Sequence, residues 1–288
     1  MYSSNFDYFR ARSLADAHAL IAAHPGAKVL AGGHSLVPLL KLRLAAPLAV
    51  VDIGRVPELR GITRQGDHIS IGALTTHAEL AASADLRASA QALAEAAALI
   101  GDPAVRNRGT IGGNVAHADP ASDLPTVLVA LNARLIVAGP NVERAIPAGE
   151  FFTGIMMTAL DDNEILTSVQ VPATVRGQGS AYEKFSHPAS RYAVVGAAAL
   201  ISIKDGQCTA ARVAIGGLLP NARRAASVER ALAGKALSDA AIADAAGRVA
   251  PDLGADVSGD LFASAEYRAA IAPVYLKRAI AAAAARAH

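Results

Sequence analysis

The sequence predicts an α+β protein that is organised as three successive units. A strand, a glycine-rich turn, a helix and a second strand follow one another within residues 1–56, an order that suggests parallel pairing. Alternating stretches joined by a hairpin turn come next, over residues 57–175. A linker-like segment then opens a third unit, residues 176–288, in which strands give way to helices.

The first unit has a short strand–helix–strand pattern. Ser13 and the acidic residue three positions later are typical of a helix start, and Pro25-Gly26 should end that helix. The elements that follow are a strand over 28–31, a turn at Gly32-Gly33, a helix that Ser35 caps and that runs to about Arg43, and a strand over 48–53.

The central unit begins with a hairpin over 62–73. Thr76 and Glu79 then form a capping-box pattern in front of a short helix. The later predicted elements are helices over 88–100 and 124–131, a long polar loop over 106–123, and strands over 134–138 and 164–171.

The third unit combines a small sheet with helices. Its predicted strands cover 180–186, 194–204 and 209–215, and its predicted helices cover 225–233, 239–249 and 265–285. Pro273 should kink or break the last helix, because proline lacks the backbone donor that a helix interior needs.

Composition and charge argue against several classes of function. The chain is 52% hydrophobic and 18% charged, with a formal net charge of +2 and no basic stripe, so we expect no nucleic-acid partner. No apolar run reaches the length of about 18 residues that a membrane span needs. No secretory signal is visible, so we expect a cytoplasmic protein. The single cysteine, Cys208, is expected to pack inertly and cannot hold an iron–sulfur cluster.

The segment Ala31-Gly32-Gly33-His34-Ser35 lies between a predicted strand and a predicted helix. Its glycines remove the Cβ atoms that would hold a ligand away from the backbone, and they permit positive φ. The free N–H groups at the start of the helix attract anions, so the segment suits a diphosphate. An ordinary tight turn is the alternative. The pattern is neither the G-x-G-x-x-G fingerprint nor a P-loop.

The segment Thr110-Ile111-Gly112-Gly113-Asn114 has a similar character and opens a polar stretch that ends at Asp123. Asp123 either caps a helix or accepts hydrogen bonds from a sugar-like chain. Two such segments in different units suggest one elongated ligand held between two domains. The sequence shows no catalytic triad and no metal-ligand spacing, so we expect neither catalytic nor metal-binding residues.

The two glycine segments and Tyr182-Glu183-Lys184-Phe185-Ser186 resemble the FAD-binding medium subunit of the family that includes aerobic carbon monoxide dehydrogenase and xanthine dehydrogenase. The resemblance covers nearly the whole chain, and the motifs occur in the same order. It implies two FAD-binding subdomains of the vanillyl-alcohol oxidase-like (PCMH) type, followed by a C-terminal domain of a small antiparallel sheet plus helices. It also implies that FAD is bound noncovalently.

The resemblance further implies which residues contact FAD. The diphosphate would lie against both glycine segments, with Asp123 on the ribityl side. Leu166 matches a position whose backbone faces the flavin, and Lys184 matches a lysine near the isoalloxazine ring. Tyr192 would cover the flavin face. The complete predicted set is Ala31, Gly32, Gly33, His34, Ser35, Ile100, Thr110, Ile111, Gly112, Gly113, Asn114, Asp123, Leu166, Lys184 and Tyr192.

The family's other redox centres have no counterpart in this sequence, because it contains neither four-cysteine sets nor a molybdopterin portion. The resemblance therefore implies a large molybdopterin subunit and a small subunit with 2Fe-2S clusters, assembled as a dimer of heterotrimers. Substrate would be oxidised at molybdenum on the large subunit. This chain would receive electrons from the clusters and pass them to an external acceptor such as a quinone or NAD. Exposed aromatic residues with arginine suit subunit interfaces, so one candidate for part of the interface is the C-terminal helices, with Tyr267, Arg268, Tyr275, Lys277 and Arg278. The alternative is that these are ordinary helix residues.

Two other functions stay open at this point. The first is a stand-alone flavoprotein oxidase or dehydrogenase, in which the substrate meets the flavin directly and His34 could carry FAD covalently. Flavin colour that stays with acid-precipitated protein would identify covalent attachment. The second is a nonenzymatic nucleotide-binding module, which a flavin absorption spectrum of the purified chain would exclude.

Overall fold

A computed structural model describes residues 2–287 of the chain and confirms the α+β class. Three larger sheets and one two-stranded hairpin carry the strands, and helices pack against the larger sheets. No helix in the described part of the chain is both long and apolar enough to cross a membrane.

The N-terminal sheet has three parallel strands in the order β1-β3-β2. The parallel pairing of β2 with β3 confirms the prediction, whereas β1 was not predicted because its residues are mostly exposed and lack an apolar pattern. The elements of this part are β1 Asp7–Arg10, α1 Leu14–Ala23, β2 Lys28–Leu30, α2 Leu36–Lys41 and β3 Ala49–Asp52.

Ser13 and Ser35 behave differently at the two helix starts. Ser13 caps α1 as predicted, since its Oγ accepts a hydrogen bond from the backbone N–H of Asp16 at 3.1 Å. The predicted cap at Ser35 is wrong, because its backbone already has right-handed helical angles and its side chain makes no capping bond. A side chain caps best from the extended backbone that Ser13 adopts.

The central sheet is antiparallel, with the strand order β4-β5-β10-β6-β7. The elements of this part include the separate hairpin β8-β9. In chain order they are β4 Ile62–Gln65, β5 His68–Gly72, α3 His77–Ala82, α4 Ala84–Ser89, α5 Gln91–Leu99, α6 Pro103–Arg106, α7 Ile111–His117, α8 Asp123–Ala130, β6 Arg134–Ala138, β7 Glu143–Pro147, α9 Ala148–Phe151, β8 Phe152–Gly154, β9 Met157–Thr158 and β10 Ile165–Pro172. The hairpin β4-β5, the capping box before α3 and the strand β6 confirm the predictions.

Two predictions for the central part are wrong. The helix predicted over 88–100 is divided at Ala90, whose φ of −154° separates α4 from α5. The loop predicted over 106–123 contains α7, because the Thr110 side chain accepts a hydrogen bond from the Gly113 N–H at 3.2 Å and caps a helix there. Two adjacent glycines disfavour a helix on propensity alone, so a local cap and tertiary packing decide this segment.

The C-terminal part has an antiparallel sheet in the order β11-β12-β13-β14 with helices packed on it. Its elements are β11 Gln178–Ser186, β12 Ala193–Lys204, β13 Gln207–Gly216, β14 Arg223–Arg224, α10 Ala226–Leu232, α11 Asp239–Ala246, α12 Ala250–Leu253 and α13 Ala265–Arg286. Cys208 is buried in β13, as expected.

Of the two effects predicted for Pro273, a kink or a break, the break is wrong, because the helix α13 continues through this residue. Its buried face, which includes Leu276 and Ile280, packs against β11 and β12. Burial of each such side chain contributes about 1.5–3 kcal/mol, enough to offset the hydrogen bond that proline removes.

The helices α5 and α8 lie against the C-terminal sheet and join it to the central part. One continuous core includes Leu93 of α5, Leu128 of α8, and Ala198 and Ala214 of the sheet. The alanines let the helices approach the strands closely. This packing brings Tyr182 and Lys184 of β11 to the start of α8, beside Asp123.

Candidate functional site

A cleft of about 770 Å³ lies where the N-terminal sheet, α7 and the segment before β12 come together. Its size is within the range of about 300–1,000 Å³ that is usual for small-molecule sites. Most of the predicted site residues line it: Ala31, Gly32, Gly33, His34, Ser35, Ile100, Thr110, Gly112, Gly113, Asn114, Asp123, Leu166 and Tyr192.

The first glycine pair has two different structural roles. Gly33 has a φ of +80°, a left-handed conformation that favours glycine. Gly32 does not, but a Cβ at this position would collide with the Arg108 carbonyl oxygen and lie 2.9 Å from the Gly109 Cα. Gly32 therefore allows the turn after β2 to contact the backbone just before the second glycine pair.

The second pair lies in the first turn of α7. A Cβ on Gly112 would lie 2.5 Å from the Ala73 Cβ, and one on Gly113 would lie 3.7 Å from the Ala31 Cβ and 2.9 Å from the Thr110 Oγ1. Close packing, and not positive φ, explains these two glycines. The two segments thus meet face to face, and their backbones form one wall of the cleft.

Asp123 lies at the start of α8 and is 4% exposed. Its Oδ1 accepts a hydrogen bond from the Tyr182 hydroxyl at 2.6 Å, and its Oδ2 accepts one from Lys184 Nζ at 2.9 Å. Burial raises the pKa of Asp123, while the charge of Lys184 and the Tyr182 hydrogen bond act to lower it. Burial and the adjacent carboxylate raise the pKa of Tyr182 well above its usual value.

Lys184 and Ile111 are the two predicted residues that do not line the cleft. The Lys184 side chain is fully buried and also donates a hydrogen bond to the Leu99 carbonyl oxygen at 3.1 Å. Ile111 is buried in the central core. Both side chains pack behind the cleft wall, so any effect they have on a ligand passes through neighbouring residues.

Tyr192 lies at the mouth of the cleft and is 43% exposed. Burial of the remaining part of the ring, with Asp119 and Asp123 nearby, raises the pKa of its hydroxyl. Asn114 lines the wall nearby, and its Oδ1 accepts a hydrogen bond from the Ser122 hydroxyl at 2.7 Å. This bond fixes the orientation of the amide at the cleft.

Several cleft residues were not predicted from the sequence. They include His77 at the start of α3 and an acidic group of Asp161, Asp162 and Glu164 before β10. The capping box that begins at Thr76 locates His77 on a helix, but only the pairing of Thr76 with Thr110 brings that helix to the cleft. Within residues 2–287, no three His, Cys, Asp or Glu side chains converge to hold a metal ion.

The residues of the cleft fit FAD. The glycine backbone beside the start of α7 is not covered by side chains and can therefore contact an anionic diphosphate. The carboxyl group of Asp123 can accept hydrogen bonds from hydroxyl groups. Apolar side chains of Ile100 and Leu166, together with the Tyr192 ring, offer surface to a flat ring system.

Known proteins have the same fold as this chain and are similar to it in sequence. The family described as the FAD binding domain in molybdopterin dehydrogenase matches residues 4–174, and the CO dehydrogenase flavoprotein C-terminal domain matches residues 180–283. The carbon monoxide dehydrogenase medium chain of Hydrogenophaga pseudoflava is 40% identical and is aligned over 99% of both chains. Subunit alpha of the 6-hydroxypseudooxynicotine dehydrogenase complex of Paenarthrobacter nicotinovorans is 39% identical, with 98% of this chain and 95% of the relative covered.

A solved structure of carbon monoxide dehydrogenase from H. pseudoflava, in a form that lacks the Mo-pyranopterin moiety, superposes with a TM-score of 0.94. It is 42% identical, and 99% of each chain is covered. This chain therefore belongs to the family of FAD-binding medium subunits of molybdenum hydroxylases.

Proposed function

We propose that this chain binds one FAD noncovalently in the cleft and is the electron-transfer subunit of a three-subunit molybdenum hydroxylase. The observation that carries this proposal is the meeting of the two glycine segments beside Asp123, which forms a single elongated site. FAD, when bound, supplies the chemistry of accepting and releasing electrons, and the chain supplies placement and electrostatics.

Each group of cleft residues has a proposed role toward FAD. The segments 31–35 and 110–114 hold the diphosphate, and Asp123 binds on the ribityl side. Ile100, Leu166 and Tyr192 surround the flavin ring. We assign Lys184 a positioning role, in which it orients the Asp123 carboxylate, because its Nζ is enclosed and bonded to that carboxylate.

We propose as partners a large molybdopterin subunit and a small subunit with 2Fe-2S clusters, arranged as a dimer of heterotrimers. In this complex the chain receives electrons from the clusters and passes them to an external acceptor such as a quinone or NAD. Two relatives of similar identity bear the names of chemically different substrates, carbon monoxide and 6-hydroxypseudooxynicotine. Because this chain is about equally similar to both relatives, its proposed role does not depend on which substrate the complex oxidises.

Two residues of the subunit interface predicted on α13 are not freely exposed, Arg268 and Tyr275. Arg268 cannot contribute an exposed side chain, because it is 6% exposed and donates hydrogen bonds to the Gly217 carbonyl oxygen at 3.0 Å and to Asp260 at 2.5 Å. Tyr275 is partly buried, because its ring stacks on that of Phe185 with 5.8 Å between the ring centroids. Tyr267, Lys277 and Arg278 are exposed and remain the proposed contacts. We also propose unit boundaries near residues 56 and 176, since none of the three larger sheets extends across either position.

The proposed function is tested in two steps. Acid precipitation of the purified complex should release one FAD per copy of this chain into the supernatant, whereas flavin in the pellet would show covalent attachment. The FAD-loaded chain is then mixed anaerobically with candidate substrates, with and without the two partner subunits. Flavin bleaching should require the partners. Bleaching of the isolated chain at a comparable rate would show that it is an oxidase with its own substrate site.

A further inference from the structure

His77 is an enclosed imidazole at the cleft and is not among the residues with a proposed role toward FAD. It is the first residue of α3 and is 3% exposed, yet it lines the cleft. Its Nδ1 is buried and has no hydrogen-bond partner among residues 2–287. The enclosed Nδ1 therefore leaves Nε2 as the ring nitrogen that can serve a ligand in the cleft.

The surroundings of the ring place it where the two glycine segments meet. The ring packs against Gly109, at which a Cβ would lie 2.8 Å from the His77 Cδ2 and 2.9 Å from its Nε2. Gly109 immediately precedes the second glycine segment and also contacts Gly32 of the first. The backbone N–H of His77 donates to the Gly109 carbonyl oxygen at 3.0 Å, which fixes the start of α3 against this junction.

The ring is neutral, and its environment selects a tautomer. Burial, with smaller contributions from His34 and Arg106, lowers the pKa of His77 to about 4. A neutral imidazole carries one N–H. A proton on the enclosed Nδ1 would have no acceptor, and a buried unpaired donor is rarer than a buried unpaired acceptor. The proton is therefore favoured on Nε2, which makes Nε2–H the donor that can serve a ligand in the cleft.

We propose that His77 is a further cofactor-binding residue, whose Nε2–H donates a hydrogen bond to an oxygen of the FAD diphosphate. This inference rests on the proposed FAD function and adds to the site a side-chain donor from outside the two glycine segments. A diphosphate oxygen is the fitting acceptor, because the ring lies at the junction of the two glycine segments.

The test measures FAD affinity of the flavin-free full-length chain by quenching of flavin fluorescence. His77→Phe keeps a flat ring without a donor and should weaken FAD binding by about tenfold or more. His77→Gln retains a side-chain N–H and should stay within about threefold of the wild type. His18→Phe is the matched control, because His18 is also an imidazole with buried, unpartnered nitrogens but does not line the cleft. Its FAD affinity should be that of the wild type.

Two further readouts separate ligand binding from a structural role. ADP, which carries the diphosphate without the flavin, should lose affinity for His77→Phe by the same factor as FAD. In the wild type with 15N-labelled histidine, FAD should shift the Nε2 resonance of His77 and leave that of His18 in place.

Wild-type affinity in His77→Phe, or an ADP affinity that does not change, would overturn the proposal. So would equal losses of FAD affinity in the Phe and Gln variants accompanied by equal losses of thermal stability. Failure of the wild-type chain to bind FAD is a different result and would overturn the proposed function instead.

Discussion

At the scale of single residues, Asp123 shows how a ligand-facing group is fixed by residues from elsewhere in the chain. Each carboxylate oxygen accepts one hydrogen bond from β11, from Tyr182 and from Lys184 respectively. A buried carboxylate and a buried ammonium each lose hydration, and this cost is tolerated only when the two are paired. The pair therefore holds the carboxylate in one orientation at the cleft.

Replacing Lys184 by Met should destabilise the chain by about 3–5 kcal/mol, because Asp123 would be left buried without its cation. The double variant Lys184→Met, Asp123→Asn should recover much of this loss, since no charge remains buried. Urea unfolding of the flavin-free proteins measures both values. A loss below about 1 kcal/mol in the single variant would show that the pair contributes no more than an exposed one.

The stability of the flavin-free chain should fall on acidification, in part through His77. Its pKa is lowered from the usual 6.5 to about 4 in the folded chain. Between these values the unfolded chain binds more protons, so stability is present above pH 6.5 and is lost as the pH falls toward 4. The loss is on the order of 3 kcal/mol. Urea unfolding at about pH 7 and pH 4.5 should show a smaller loss for His77→Gln than for the wild type. Equal losses would assign the pH dependence to other groups.

At the scale of elements, the glycine turn after β2 and the helix α7 work as one structure because they are in backbone contact. Gly32→Ala should separate them, since the new methyl group meets the backbone of Arg108 and Gly109. We expect a loss of stability of about 1–3 kcal/mol, together with weaker FAD binding.

The matched control for this change is Gly149→Ala in α9, where a Cβ has nothing within 4 Å. Stability should change by no more than about 0.5 kcal/mol in this variant, with FAD affinity unchanged. Thermal unfolding and flavin fluorescence compare the two variants. If Gly32→Ala binds FAD as tightly as Gly149→Ala does, the contact between the two segments is not needed for the cleft.

Sequence patterns predicted the elements whose signals are local. The capping box before α3 and the hairpin β4-β5 depend on neighbours a few residues apart, and both are present. The strand β7 escaped prediction because it lies at a sheet edge with mostly exposed residues. The helix α7 escaped because its glycines are unfavourable by propensity and are accommodated through packing on Ala73.

At the scale of the whole molecule, the N-terminal sheet has the smallest of the three cores. The central and C-terminal sheets share buried residues across α5 and α8, whereas β2 is a short and mostly exposed edge strand. We expect the amides of β1–β3 to exchange with solvent faster than those of β12, whose first seven residues are all buried.

Hydrogen exchange followed by mass spectrometry measures this difference. Added FAD should slow exchange in β2 and α7, since the cleft lies between them, and should leave α11 unchanged because it does not line the cleft. Uniform exchange over all three sheets, or FAD protection confined to α11, would contradict this description of the molecule.

The sequence by itself determined the family, the three-part order of elements and the two glycine segments that form the cleft wall. These depend on contiguous residues, whose local chemistry can be inferred without knowing what packs against them. Tertiary structure alone decided that Lys184 is bonded behind Asp123, that Ile111 belongs to the core, and that His77 reaches the cleft. Each of these positions depends on contacts with residues that are far away in the sequence. A local sequence pattern does not specify which distant residues will lie alongside.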